Sequence, residues 1–282
     1  MKRIFCILLT ALTLLSLWGC SAEGEEKKVA IPENITFTAE TLLDNEQLRV
    51  TAVSITESDP EGCVVTLEME NRTELALVAE INSASVDGCM FNPGLSEPIS
   101  PKEVITTQVT FPKTDLDGYG ITASTQIEIN CYVYDEDTFE EVSINEDFVL
   151  YPRGKQVARY QTRKDKDTDV VLMDNEYCKI ILTATNPDSF WGYDQSVFVL
   201  NKTDKALVFT TQEAFLNEVA CDPFWTHTIP AGKCSNTTMY WFENNLKSAG
   251  IEQVNEITLL LSVANLSNWQ EAIATETVTI KP

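Results

Sequence analysis

Two stretches of this chain decide its fold once they are laid over one another: Asn71-Arg72-Thr73-Glu74-Leu75-Ala76-Leu77-Val78 and Asn201-Lys202-Thr203-Asp204-Lys205-Ala206-Leu207-Val208. They lie 130 residues apart, and the same offset, without a gap, carries 44–152 onto 174–282. Asp44-Asn45-Glu46 meets Asp174-Asn175-Glu176, Pro93 meets Pro223, Ile99 meets Ile229, Gly120-Ile121 meets Gly250-Ile251 and Pro152 meets Pro282. In all, 21 identities fall in 109 positions. One register held through turns as well as apolar runs reads as an internal duplication, with 153–173 as the connector between two copies.

Each copy reads as β. Cys63, Val65, Leu67 and Met69 alternate with Val64, Thr66, Glu68 and Glu70, and Ile127, Ile129, Cys131 and Val133 alternate with Glu128, Asn130, Tyr132 and Tyr134. Alternation of this kind is the period of a half-buried strand. Leu48–Ile55, Ala76–Ser85, Val104–Phe111 and Val142–Leu150 are further strand candidates. The Asn71 and Asn201 tetrads fall between two such runs, where an Asx side chain hydrogen-bonds its own turn. Leu116–Ile121 and Leu246–Ile251 each suggest one helical turn ended by glycine, which tolerates a left-handed cap. About seven strands in roughly 100 residues, with a short helical connection late in the order, predict two tandem immunoglobulin-like β-sandwiches.

The N-terminus supplies an address. Lys2 and Arg3 precede an apolar run from Ile4 to Trp18, 15 residues long, short of the roughly 20 needed to cross a bilayer as a helix. Leu17-Trp18-Gly19-Cys20 resembles a bacterial lipobox. The resemblance implies a signal peptide over 1–19, a diacylglycerol on Cys20, and a flexible acidic leader over 20–43. The chain as a whole is similar to bacterial, Gram-positive surface lipoproteins with tandem β-sandwich repeats, through this lipobox and phrases such as Asp188-Ser189-Phe190-Trp191-Gly192 and Ile229-Pro230-Ala231-Gly232-Lys233. That likeness implies a fold and a location on the extracytoplasmic side of the cell membrane, and no activity.

Charge narrows the partners. The whole chain carries 20 Lys and Arg against 43 Asp and Glu. The first copy holds 22 acidic and 4 basic side chains, the second 13 and 6, while the connector has six basic residues against three aspartates. So acidic a surface repels nucleic acid and anionic headgroups. Partners are therefore expected to be the membrane, through the lipid on Cys20, and a cell-wall or host glycan or an envelope protein.

The usual signs of catalysis are missing. The single histidine, His227, is matched by Glu97 in the first copy and reads as a surface loop residue, and no nucleophile motif accompanies it. Clustered His and Cys for zinc are absent, as is a glycine-rich phosphate loop, so neither a cofactor nor a metal is expected. Asp135, Glu136, Asp137, Glu140 and Glu141 read as a solvated acidic loop, its counterpart in the second copy retaining one carboxylate. A carboxylate-dependent hydrolase is the remaining catalytic alternative.

Six cysteines follow Cys20, and none coincides at the 130-residue offset. No disulfide framework is therefore shared by the copies. Cys63 with Cys131 and Cys221 with Cys234 are the pairs that position suggests testing, Cys89 and Cys178 having no evident partner; buried free thiols are the expected state.

Aromatic residues carry the functional lead. All four tryptophans after Cys20 lie in the second copy. Trp241 and Trp269 match Phe111 and Phe139 and read as core. Trp225 matches Leu95, while Trp191 matches Glu61, a residue not buried unpaired. Trp191 with Phe190 and Tyr193, and with Trp225 beside them, is the candidate ligand-binding surface of a non-catalytic binding or adhesion module. A structural role in envelope assembly, through the basic connector, is the alternative.

Overall fold

A computed structural model describes residues 30–58, 60–161 and 163–282; the segment expected to be a signal peptide, and Cys20, lie outside the described residues. Among the described residues the chain is all-β, with two short α-helices. Its strands in the first half are β1 (Glu40–Asp44), β2 (Leu48–Ser58), β3 (Gly62–Asn71), β4 (Leu77–Val86), β5 (Cys89–Phe91), β6 (Leu95–Ile99), β7 (Val104–Pro112), β8 (Ile127–Asp135) and β9 (Glu141–Leu150), with α1 (Lys113–Tyr119) between β7 and β8. The second half has β10 (Val170–Asp174), β11 (Cys178–Ser189), β12 (Gly192–Asn201), β13 (Leu207–Leu216), β14 (Val219–Ala220), β15 (Thr226–Ile229), β16 (Cys234–Phe242), α2 (Glu243–Ser248), β17 (Ile257–Asn265) and β18 (Ala272–Ile280).

Strand order gives the architecture. In the first half β1-β2-β3-β7 form one sheet, and β4 is flanked by β8-β9 on one side and by β5 and β6 on the other. The second half repeats this with β10-β11-β12-β16 against β13-β17-β18, with β14 and β15 pairing β13. This is the immunoglobulin Greek key, with strands A, B and E facing C, F and G. Apolar residues of alternate positions fill the space between. Val65, Leu67, Ile129 and Phe111 are buried in one core, and Val197, Phe209, Leu259 and Trp241 in the other. Both helices stop as the glycines suggest: Gly120 and Gly250 adopt positive φ, and Ile121 and Ile251 donate back to the carbonyls of Leu116 and Leu246.

Two boundaries are corrected. The segment from Ile31 to Leu43 is not a free leader: Ile35 and Phe37 pack on the first core, the Thr36 N–H donates to the Pro152 carbonyl at 2.8 Å, and β1 pairs with β2. Bulky apolar residues at 35, 37, 42 and 43 are the physical reason. The connector likewise ends in a strand, β10 pairing with β11. Its basic residues are partly internal. Arg153 is buried with its guanidinium on Glu57 at 2.5 Å and on the Ser124 carbonyl at 2.7 Å. Arg163 forms a two-pronged pair with Asp169 at 2.7 Å and lies over the Phe198 ring.

The two halves share a sheet. β5 pairs in parallel with β16 at a single register position, Cys89 opposite Cys234, joining the outer sheet of the first half to the A-B-E sheet of the second. Around this seam Lys233 reaches Glu128 at 2.7 Å, the Asn236 N–H donates to the Tyr119 hydroxyl at 2.7 Å, and the Cys234 N–H donates to the Gly88 carbonyl at 2.9 Å.

Candidate functional site

The hairpin between β11 and β12 builds the site. Ser189 pairs with Gly192, so Phe190 and Trp191 form a two-residue tip. Gly192 has φ +138, and a Cβ there would run into the Trp241 carbonyl oxygen and the Glu243 nitrogen. Only glycine lets the hairpin lie this close to the start of α2, where the Glu243 N–H donates to the Trp191 carbonyl at 2.8 Å. Pinned at its base, the tip presents its two aromatic rings to solvent, Phe190 at 91% and Trp191 at 58% exposure.

Three further aromatics that sequence reasoning missed complete the surface. Tyr240 and Phe242 are the outward positions of β16, alternating with buried Met239 and Trp241. Phe224 is bridged to Tyr240 across the sheet edge and is 72% exposed. Trp191 stands edge-on to both Phe190 and Phe242, with ring centroids 4.9 and 6.5 Å apart, and Phe242 lies nearly parallel to Tyr240 at 6.4 Å. Trp191, Phe224, Tyr240 and Phe242 line an open cavity of about 380 Å³. The alternation along β16 was the available signal, since Tyr240 and Phe242 flank a tryptophan already assigned to the core.

Tyr193 and Trp225 do not belong to this surface. Tyr193 is an inward position of β12, its ring 5.7 Å from that of Trp241. Trp225 is buried just ahead of β15, with its indole N–H donating to Thr237 Oγ1 at 3.0 Å. The opposite error applies to Trp269 and Phe139. Both are exposed, at 66% and 73%, because each falls in the connection between the last two strands and not in a strand. His227 is also re-placed: it lies half-buried on β15, opposite Phe209, and burial pushes its imidazole below the usual histidine range.

On the other face of the hairpin a wider cleft of about 730 Å³ runs from Phe190 to α2, lined by Asp188, Glu243, Lys247 and Glu252. Lys247 pairs with Glu243 at 2.6 Å, leaving an acidic balance. The aromatic faces on one side of the tip offer apolar stacking, and the carboxylates on the other offer hydrogen-bond acceptors. Elsewhere the acidic loop after β8 closes on itself: Asp135 Oδ1 accepts from the N–H groups of Asp137 and Thr138. Among the described residues no group of three or more His, Cys, Asp and Glu side chains is arranged to hold a metal.

The fold and this surface together define the class: an all-β chain of immunoglobulin-like sandwiches with an aromatic end. No family model matches the chain, and no curated protein matches it in sequence. Among solved structures it is similar to the YadV chaperone, at 11% identity over 84% of this chain and 100% of that one, with a TM-score of 0.25. It is also similar to a Salmonella enterica SafA pilin in complex with the SafB chaperone, at 8% identity over 84% and 98%, TM-score 0.26. Red sea bream transglutaminase is matched at 9% identity over 84% of this chain and 31% of its own, TM-score 0.23. Superpositions this loose carry no functional argument.

Proposed function

We propose that this protein is a lipid-anchored surface lipoprotein of a Gram-positive bacterium, held at the extracytoplasmic face by Cys20, that captures carbohydrate without transforming it. The observation behind the capture reading is the aromatic end of the second half. Phe190, Trp191, Phe224, Tyr240 and Phe242 are replaced at the matched positions of the first half by Pro60, Glu61, Gly94, Thr110 and Pro112. Neither the fold nor the packing of a sandwich therefore requires five rings at this end. Exposed apolar clusters on a soluble sandwich mark contact sites, and loops and edges at one end of this architecture are where recognition is placed.

The test uses the protein beginning at Ser21 against a panel of cell-wall and host glycans, read by tryptophan fluorescence. Saturable quenching or enhancement that disappears in Trp191→Ala supports the reading. A panel without response, or a response that Trp191→Ala leaves intact, removes the aromatic end as a sugar site and turns attention to envelope proteins.

A further inference from the structure

Cys89 and Cys234 face each other across the seam between the halves. Their sulfurs are 3.0 Å apart, although 145 residues separate them in sequence. Both are buried, and they are the register partners of the β5–β16 pairing. Partners in a sheet stand about 4.8 Å apart, inside the Cα separation of about 4.4–6.8 Å that a disulfide spans.

The duplicated framework shows that this meeting belongs to the joint and not to either core. The residue matched to Cys89 in the second half is Val219, and the residue matched to Cys234 in the first half is Val104. Both valines lie in the open, 41% and 53% exposed. The two sandwich positions are thus solvent-facing by construction, and each cysteine is buried only because the other half covers it. All six cysteines after Cys20 are free thiols in the structure, but Cys63, Cys131 and Cys178 differ in place: they sit inside single cores, and burial pushes each of their thiols up to about 12. Cys221 likewise stays in the second core, its carbonyl accepting from the Trp241 indole at 2.9 Å, so it is not the partner of Cys234 that the sequence suggested testing.

We infer that Cys89 and Cys234 are a covalent modification site, at which a disulfide joins the two sandwiches into one continuous sheet. The inference stands on the docked geometry and not on the sugar reading. The oxidant is a disulfide such as oxidised glutathione. One cysteine thiolate attacks it, releasing one glutathione thiolate and leaving a mixed disulfide; the second cysteine thiolate then attacks the protein-side sulfur and expels the other. The protein loses two electrons and two protons, and two glutathione thiols are formed. The hydrogen bond with Cys234, then burial at the seam, pushes the Cys89 thiol well up, so it resists thiolate formation once the halves are docked. The exchange therefore takes place before docking or during its opening, and the finished bond is shielded by the same packing.

The full chain is purified reduced, opened in urea, and refolded with oxidised glutathione. The expected result is a disulfide-linked peptide pair carrying Cys89 and Cys234 in mass spectrometry, with Cys63, Cys131 and Cys178 still alkylated after denaturation. The linked pair is lost in Cys89→Ser and in Cys234→Ser and kept in Cys63→Ser. Recovery of alkylated Cys89 and Cys234 from correctly refolded chain, or their linkage to other cysteines, overturns the proposal. Refolding is monitored by circular dichroism for the whole chain and by tryptophan fluorescence for the second half, so a variant that does not fold is recognised as such and the wild-type mapping decides.

Discussion

Asn71 and Asn201 make the same hydrogen bonds 130 residues apart. Asn71 Nδ2 donates to the carbonyls of Leu75, Ile99 and Ser100 at 2.7–3.0 Å, and its Oδ1 accepts from the N–H and hydroxyl of Thr73. Asn201 Nδ2 donates to the carbonyls of Lys205, Ile229 and Pro230 at 2.7–3.0 Å, and Oδ1 accepts from the N–H and hydroxyl of Thr203. Each side chain is buried and ties the turn after one strand to the end of another.

Removing either asparagine leaves several buried groups without partners, which costs about 2–4 kcal/mol. Because every tryptophan after Cys20 lies in the second half, fluorescence reports that half alone. Urea unfolding of Asn201→Ala followed by tryptophan fluorescence is expected to show a clearly lowered midpoint. Circular dichroism of Asn71→Ala is expected to show a similar loss, and its fluorescence transition reports how far the seam couples the halves.

Trp191 and Trp241 separate binding from packing. Trp191 is mostly exposed, so Trp191→Ala is expected to change stability by less than about 0.5 kcal/mol. Trp241 is fully buried with its indole N–H bonded, so Trp241→Ala costs about 3–5 kcal/mol. Denaturant titration of the two variants checks the contrast, which is the control that a loss of sugar binding in Trp191→Ala requires.

Gly192→Ala tests the hairpin. The added methyl collides with backbone at the β16–α2 junction and the residue keeps a φ that L side chains avoid. A loss of about 2 kcal/mol or more is expected, together with weakened ligand response, because the tip carrying Phe190 and Trp191 is moved. Gly62, at the matched position, has the same backbone neighbours, so Gly62→Ala is expected to lower stability without touching binding.

Acid weakens the connector. Paired hydrogen bonds from Arg163, then the Lys166 N–H, hold the Asp169 carboxyl down at about 2, against about 3.9 in an unfolded chain. A depressed folded value means the stabilisation is present above about pH 4 and is lost as pH falls toward 2. Thermal melts between pH 6 and 2.5 are expected to show a smaller decline in Asp169→Asn than in the wild type, from a lower starting point.

The strands were legible because period-two alternation and a fixed offset reinforce one another. β3, β4, β7 and β8 recur at β12, β13, β16 and β17 with bounds shifted by 130. What escaped was whatever depends on contacts between different positions. Ile35 and Phe37 looked like a leader because the core they pack against, and the Pro152 carbonyl that Thr36 reaches, are distant in sequence. Tyr193 looked surface-bound because its neighbours Phe190 and Trp191 are, yet those two form the hairpin tip while Tyr193 is already an inward position of β12. Phe139 and Trp269 matched as bulky aromatics, and matching identity says nothing of burial in a connection. Cys89 and Cys234 had no sequence signal at all, since a joint between unlike surfaces leaves no trace in a comparison of like positions.

That last asymmetry bears on how far such an arrangement can propagate. The joint uses Glu128, Tyr119 and Cys89 from the first half and Lys233, Asn236 and Cys234 from the second. The matched residues on the faces left over are Thr258, Ala249 and Val219, and Glu103, Thr106 and Val104. A head-to-tail contact that could be reused would generate an open fibre. Here a second molecule approaching in the same geometry would set Glu103 against Thr258 and the Thr106 N–H against Ala249, so the ion pair, the hydroxyl contact and the cysteine pair of the internal joint are not reproduced between copies.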